Sequence, residues 1–151
     1  MIVEEYLYFV DRAFDGMCAI ALGLGDELAN TKPDLEGANS PYAILTHCLG
    51  VVEHWVGARI VGRPDLRDRP AEFRAAGPVA PLVERVAEAR ARLAEDLTGF
   101  AGDVPVTRQP AERFRPPSGS LSESGVLLHV LAELAQHHGQ LEITRDLLTA
   151  S

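Results

Sequence analysis

Hydrophobic side chains recur at intervals of three and four residues along four segments of the chain, and this spacing predicts four helices. The first segment begins near Val3 and ends near Asn30. The second begins at Pro41, because Ser40 followed by proline is typical of an N-cap and a first helical position. It stops at Gly62.

The third segment begins near Pro81 and extends to Phe100. The last one follows the sequence Ser120-Leu-Ser-Glu123, which predicts a capping box, and continues to about Leu148. We find no alternating strand pattern, so the predicted fold is all-α, an antiparallel four-helix bundle. The two connectors, up to Gly77 and from Ala101 to Ser120, are long, and long loops often contact a substrate.

Composition indicates one domain that spans residues 1–151. Hydrophobic residues make up 46% and charged residues 24%, as in ordinary globular proteins. The net charge of -8 argues against nucleic acids and anionic membrane surfaces as partners. The interleaved charges of the first connector predict a solvated loop. Its arginines are Arg63, Arg67, Arg69 and Arg74, and its acidic residues are Asp65, Asp68 and Glu72.

The expected compartment is the cytoplasm. No apolar run is long enough to span a bilayer, and the N-terminus lacks the features of a signal peptide. Cys18 and Cys48 form no spaced cluster, and we expect them to be free thiols in a reducing environment.

Three residues carry the candidate chemistry: His47, Glu133 and His137. Four residues advance a helix by about 400°, so Glu133 and His137 project from one face, one turn apart. His47 and this pair lie at the margins of their apolar stripes, where two packed helices can converge on one ion. Three such ligands with open positions are typical of a catalytic metal site. The alternative is a solvated carboxylate beside a surface histidine.

Other residues offer weaker candidates. His129 precedes Glu133 by one turn and is an alternative ligand, whereas His54 is too far along its helix and is expected to be structural. We expect His138 to be half-buried, and Cys48 to be a buried hydrophobic residue rather than a nucleophile. Gly139 interrupts the last helix, which predicts the close approach of another backbone or of a ligand.

Two stretches, residues 40–55 (SPYAILTHCLGVVEHW) and 129–140 (HVLAELAQHHGQ), resemble the DinB-like superfamily of metal-binding four-helix bundles. They are most similar to the N-terminal domain of mycothiol-dependent maleylpyruvate isomerase and to related single-domain actinobacterial proteins. The resemblance implies a metal ligand in the second helix and two ligands four residues apart in the fourth, which correspond to His47, Glu133 and His137. The chain ends just after the fourth helix, so we do not expect isomerase activity itself.

The resemblance also implies a function. We expect a divalent-metal-dependent S-transferase that joins a low-molecular-weight thiol, of the mycothiol or bacillithiol type, to a small electrophile. Zinc is the expected metal and nickel the alternative. The alternative functions are hydrolysis and a non-catalytic bundle that binds metal or acts as a dimeric interaction module. Exposed apolar helix faces make a homodimer the oligomer to test.

Arg59 lies in the apolar stripe of the second helix, where a charged side chain needs a partner. An internal salt bridge is the simpler interpretation. The hypothesis with a functional role is that Arg59, together with Gln140, binds a substrate oxygen near the metal, while the loop from Ala101 to Ser120 covers the site.

Overall fold

The computed structural model describes residues 1–150 as a bundle of helices around one hydrophobic core, which confirms the all-α prediction. The α-helices are α1 (Val3–Ala29), α2 (Pro41–Val52), the one-turn α3 (Arg69–Glu72), α4 (Val79–Asp96) and α5 (Glu123–Thr149). Short 3-10 turns lie between α4 and α5, at Leu97–Gly99 and Glu112–Phe114. Helix α1 contacts α2, α4 and α5, and α2 contacts α4 and α5. Between residues 1 and 150, no helix has both the length and the hydropathy that a bilayer crossing requires.

The core is built from the apolar stripes of the four long helices. Burying one leucine-sized side chain stabilises a fold by about 1.5–3 kcal/mol, so these stripes hold the helices together. The largest fully buried side chains include Phe14, Met17, Ile44, Leu82, Leu93, Leu127, Leu134 and Leu141.

The second helix begins as predicted but changes its geometry halfway. The Ser40 hydroxyl accepts a hydrogen bond from the backbone N–H of Ala43 at 3.2 Å. After α2, the chain continues as a π-helix over Glu53–Val61 and ends at Gly62, which has a φ of 89°. A π-helix links residues five apart, so side chains with that spacing come close to one another, which the α-helical pattern did not predict.

The predicted start of α4 near Pro81 was two residues late, because another helix provides its cap. The backbone N–H of Val79 donates to the Asp26 carboxylate at 2.8 Å. Asp26 follows a break in α1 at Gly25, whose φ of 71° favours glycine. The first predicted helix is therefore interrupted, and the interruption places Asp26 against the start of α4.

The predicted capping box at the start of the last helix is wrong. Ser122, not Ser120, is the N-cap, and its hydroxyl accepts from the Gly125 N–H at 3.1 Å. The Glu123 carboxylate instead accepts from the Ala101 N–H at 2.7 Å. Residues just before α5 are extended because Ser122 forms a bridge with Pro105 in the preceding loop. This pairing delays the start of the helix.

The first connector is not simply a solvated loop. The Asp68 carboxylate caps α3 by accepting from the Ala71 N–H at 3.0 Å. At the end of α3, Glu72 is only 8% exposed. The interleaved charges therefore form specific ion pairs, and one of them reaches the interior of the bundle.

Gly139 does not approach another backbone. A Cβ at this position would meet no atom within 4 Å among the described residues, so the predicted approach of another backbone is wrong, and the approach of a ligand stays a prediction. We expect Gly139→Ala to raise the free energy of unfolding by about 0.5–1 kcal/mol, because alanine loses less backbone entropy in a helix. Urea denaturation measures this change, and a destabilised variant would contradict the open environment.

Candidate metal centre

The three predicted ligands lie together between α2 and α5. Their ligand atoms are all within 4.8 Å of one another. His47 of α2 is buried, whereas Glu133 and His137 of α5 are half-buried and open towards solvent. Bonds of about 2.0–2.2 Å to a shared ion place ligand atoms within about 4.4 Å, so small side-chain rotations suffice. We call these three residues the candidate metal centre.

The hydrogen bonds of His47 leave its Nε2 free for a metal ion. Its Nδ1 lies 2.7 Å from Oε2 of Glu72 and 3.2 Å from Nη2 of Arg67. A carboxylate accepts and a guanidinium donates, so Nδ1 can carry its proton only towards Glu72. That tautomer directs the lone pair of Nε2 away from Glu72, as in metal sites where a carboxylate orients the histidine.

A tight ion pair holds Glu72 in this position. Arg67 donates from Nε to Oε1 at 2.7 Å and from Nη2 to Oε2 at 2.9 Å. The side chains of Arg67 and Glu72 are only 14% and 9% exposed. Gly50 of α2 leaves room for the carboxylate, because a Cβ there would overlap Oε1 of Glu72. The Phe73 ring also stacks on His47, with centroids 4.6 Å apart.

A hydrogen bond at Nδ1 also orients the ring of His137 in α5. Its Nδ1 lies 2.9 Å from Oε1 of Gln140, which can only accept, so Nε2 again keeps its lone pair. That Nε2 lies 3.7 Å from Oε2 of Glu133, and the rings of His47 and His137 are 4.8 Å apart. Gln140 thus orients His137, and its contact with a substrate remains a prediction.

A cavity of about 560 Å³ adjoins the candidate metal centre, and we call it the site cavity. His47 and Glu133 line it, as do Trp55 and His129, whose rings are 4.2 Å apart. Phe114, from the loop between α4 and α5, also lines it and lies 5.3 Å from Trp55. This loop therefore borders the cavity, as expected for a loop that covers a site.

Arg59 lies beside the site cavity without the predicted salt bridge. Its Nη2 donates to Nε2 of His54 at 2.9 Å, and Nδ1 of His54 lies 3.0 Å from the Asp65 carboxylate. Residues five apart meet here because the segment is π-helical. Arg59 also donates to the Arg108 carbonyl at 3.0 Å and lies 5.0 Å from the Trp55 ring. Among residues 1–150, no carboxylate lies within 4.0 Å of this guanidinium. Direct binding of a substrate by Arg59 remains a prediction.

Three other sequence candidates lie outside the metal centre. Cys48 is fully buried beside Met17, and burial raises the pKa of its thiol, which makes it a poor nucleophile. Nε2 of His129 is 4.0 Å from Glu133. His138 is half-buried and packs over Gly16, where a Cβ would overlap its ring.

Burial lowers the pKa of His47 and His129 below the ordinary imidazole value of about 6.5. The unfolded chain therefore binds more protons than the folded chain just below this pH. We expect the metal-free protein to lose stability as the pH falls from about 7 to 5. Denaturation at several pH values tests this, and His129→Gln should flatten the decline. An unchanged slope in that variant would contradict the effect of burial on His129.

Comparison with known proteins identifies a family and a similar solved structure. The model of a family described as mycothiol-S-transferase matches residues 6–150 of this chain. A solved structure, described as a conserved protein from Enterococcus faecalis, superimposes with a TM-score of 0.73 at 15% identity. That alignment covers 100% of this chain and 99% of the other, and it shows the shared fold alone. No protein with curated annotation matches the chain.

Proposed function

Because the chain belongs to the mycothiol-S-transferase family, we propose that it transfers a low-molecular-weight thiol, of the mycothiol or bacillithiol type, to a small electrophile. The proposed metal ligands are His47, Glu133 and His137. The observation that carries this proposal is the convergence of three ligand atoms within 4.8 Å beside a cavity. The family match supports the reaction class, and the geometry supports a metal at this position.

The donor set fits a divalent ion of the zinc type. Two neutral imidazoles and one carboxylate are ligands that zinc accepts, and nickel is the alternative. Both histidines have Nδ1 beside an acceptor, from Glu72 and Gln140, so each offers Nε2 without a change of tautomer. When bound, such an ion supplies a positive charge that favours the thiolate form of a thiol near neutral pH.

The cavity residues fit the second substrate. The rings of Trp55, Phe114 and His129 present an aromatic surface, on which a small electrophile can pack next to the metal centre. In the proposed reaction, the thiol sulfur forms a bond to an electrophilic carbon. The thiol proton and the leaving group depart, or the proton adds to the product when no group leaves.

Reduced low-molecular-weight thiols are a property of the cytoplasm, so we propose that compartment. Exposed apolar side chains on α5, such as Leu128 and Ile143, are the basis for testing a homodimer.

A thiol-dependent assay tests the proposed reaction. The metal-loaded protein is mixed with 1-chloro-2,4-dinitrobenzene in the presence and absence of mycothiol or bacillithiol. We expect the dinitrophenyl thioether to form faster than in the uncatalysed mixture, and only when the thiol is present. Release of dinitrophenol without thiol would indicate hydrolysis instead. Failure of both thiols across a panel of electrophiles, despite bound metal, would favour a non-catalytic metal-binding bundle.

A further inference from the structure

Two arginines of the site cavity have no acidic partner. Arg69, in α3, lies with its Cζ 5.0 Å from the Phe73 ring centroid, and Arg113 lies 4.6 Å from that of Phe114. Both line the site cavity. In the described part of the chain, neither has a carboxylate within 4.0 Å.

The other charged side chains that line the cavity have partners or, as Glu133 does, belong to the candidate metal centre. Arg67 donates to both oxygens of the Glu72 carboxylate, and the Asp65 carboxylate lies 3.0 Å from His54. Arg69 and Arg113 therefore contribute positive charge that no carboxylate of the cavity pairs with directly.

Each of these exposed arginines also lies over an aromatic ring. Stacking on a ring limits the motion of a guanidinium and leaves its N–H donors free at the edge. The rings of Phe73 and Phe114 also lie beside histidines at or next to the candidate metal centre. Phe73 stacks on His47, and Phe114 lies 5.5 Å from His129. The cavity thus combines aromatic surfaces with two cationic groups.

We propose that Arg69 and Arg113 are specificity-determining residues that bind a carboxylate on a planar electrophile. This inference rests on the proposed transferase function, and it names the class of the second substrate. The planar part packs against Trp55 and Phe114, and the carboxylate accepts hydrogen bonds from the two guanidinium groups. The aromatic surface favours the electrophile over the sugar-like body of the thiol as the group bound here.

Binding is measured first, without any reaction. Trp55 is the one tryptophan in the sequence and lines the cavity, so its fluorescence reports ligands there directly. The metal-loaded protein is titrated with 3,5-dinitrobenzoate and with neutral 1,3-dinitrobenzene. We expect the benzoate to bind more tightly. The preference is the Kd of the neutral compound divided by the Kd of the benzoate. In the double variant Arg69→Gln/Arg113→Gln, this ratio should fall about tenfold, which corresponds to about 1.4 kcal/mol.

A matched control is Arg74→Gln, an exposed arginine of the same connector that does not line the site cavity. It should keep the preference for the benzoate. Raising the salt concentration should reduce this preference in the wild type and much less in the double variant. A double variant that keeps the full preference would overturn the inference, since the carboxylate would then bind elsewhere, for example at the metal.

Turnover separates this inference from the proposed function. With a fixed thiol, 4-chloro-3,5-dinitrobenzoate and 1-chloro-2,4-dinitrobenzene are compared in the wild type and the double variant. We expect the ratio of their KM values to shift about tenfold towards the neutral compound, while the KM for the thiol stays within about twofold. If the wild type turns over neither compound, the result counts against the proposed function, and the fluorescence titration still decides the role of the arginines. A shift confined to the KM for the thiol would overturn the inference.

Discussion

Replacing His137 or Glu133 with alanine should remove the bound metal. We expect about one divalent ion per wild-type chain and less than about a tenth of an ion in either variant, because only two ligands remain. The loss should abolish thiol transfer. Metal analysis of protein purified without a chelator or a histidine tag measures this directly. Glu133 and His137 are half-buried, so both variants should still fold, which circular dichroism can establish.

His129→Ala is the matched control for these two variants. His129 also lies on α5 and lines the site cavity, but it does not belong to the group of three converging ligands. This variant should keep its metal. If His129→Ala loses the ion while Glu133→Ala retains it, the ligand assignment is wrong, and the alternative ligand raised by the sequence is the correct one.

Glu72→Ala should lower the affinity for the metal about 10–100-fold, although Glu72 does not belong to the metal centre. Its carboxylate fixes the tautomer and the orientation of His47, and removal of such a partner typically has an effect of this size. Competition with a chromogenic chelator measures the change. Gly50→Ala should act in the same direction but less strongly, because its Cβ would displace the Glu72 carboxylate. Gly139→Ala is the control, since its Cβ meets open space.

The loss of Glu72 also leaves Arg67 without its partner, which destabilises the fold. The double variant Arg67→Leu/Glu72→Ala removes both charges and should recover most of this stability. Its metal affinity should remain low. If the double variant binds metal as tightly as the wild type, the role of Glu72 is structural only, and the proposed orientation of His47 is wrong.

The periodic part of the fold was predictable from the sequence. Apolar residues at helical spacing identified the four long helices, because each helix must bury one face. The same geometry placed Glu133 and His137 one turn apart and set His47 on a neighbouring helix. Their convergence followed from two regular elements, and the structure brings these three side chains together.

The contacts that depend on irregular segments were not predictable. The partners of His47 come from a connector whose charges suggested solvation, and only the cap at Asp68 and the proline that follows signal the helix that buries Glu72. The contact between Arg59 and His54 depends on a π-helical stretch. The start of α5 was misjudged because a distant loop pairs with Ser122. In the first connector and at the start of α5, tertiary contacts outweigh the local pattern.

A crystal structure of the metal-loaded protein, with anomalous diffraction at the absorption edge of the metal, tests the central claim most directly. The predicted result is a single ion bonded to Nε2 of His47, a carboxylate oxygen of Glu133 and Nε2 of His137, at about 2.0–2.2 Å, with an open side towards the site cavity. An ion held by His129 in place of Glu133, or an anomalous signal elsewhere in the protein, would contradict it.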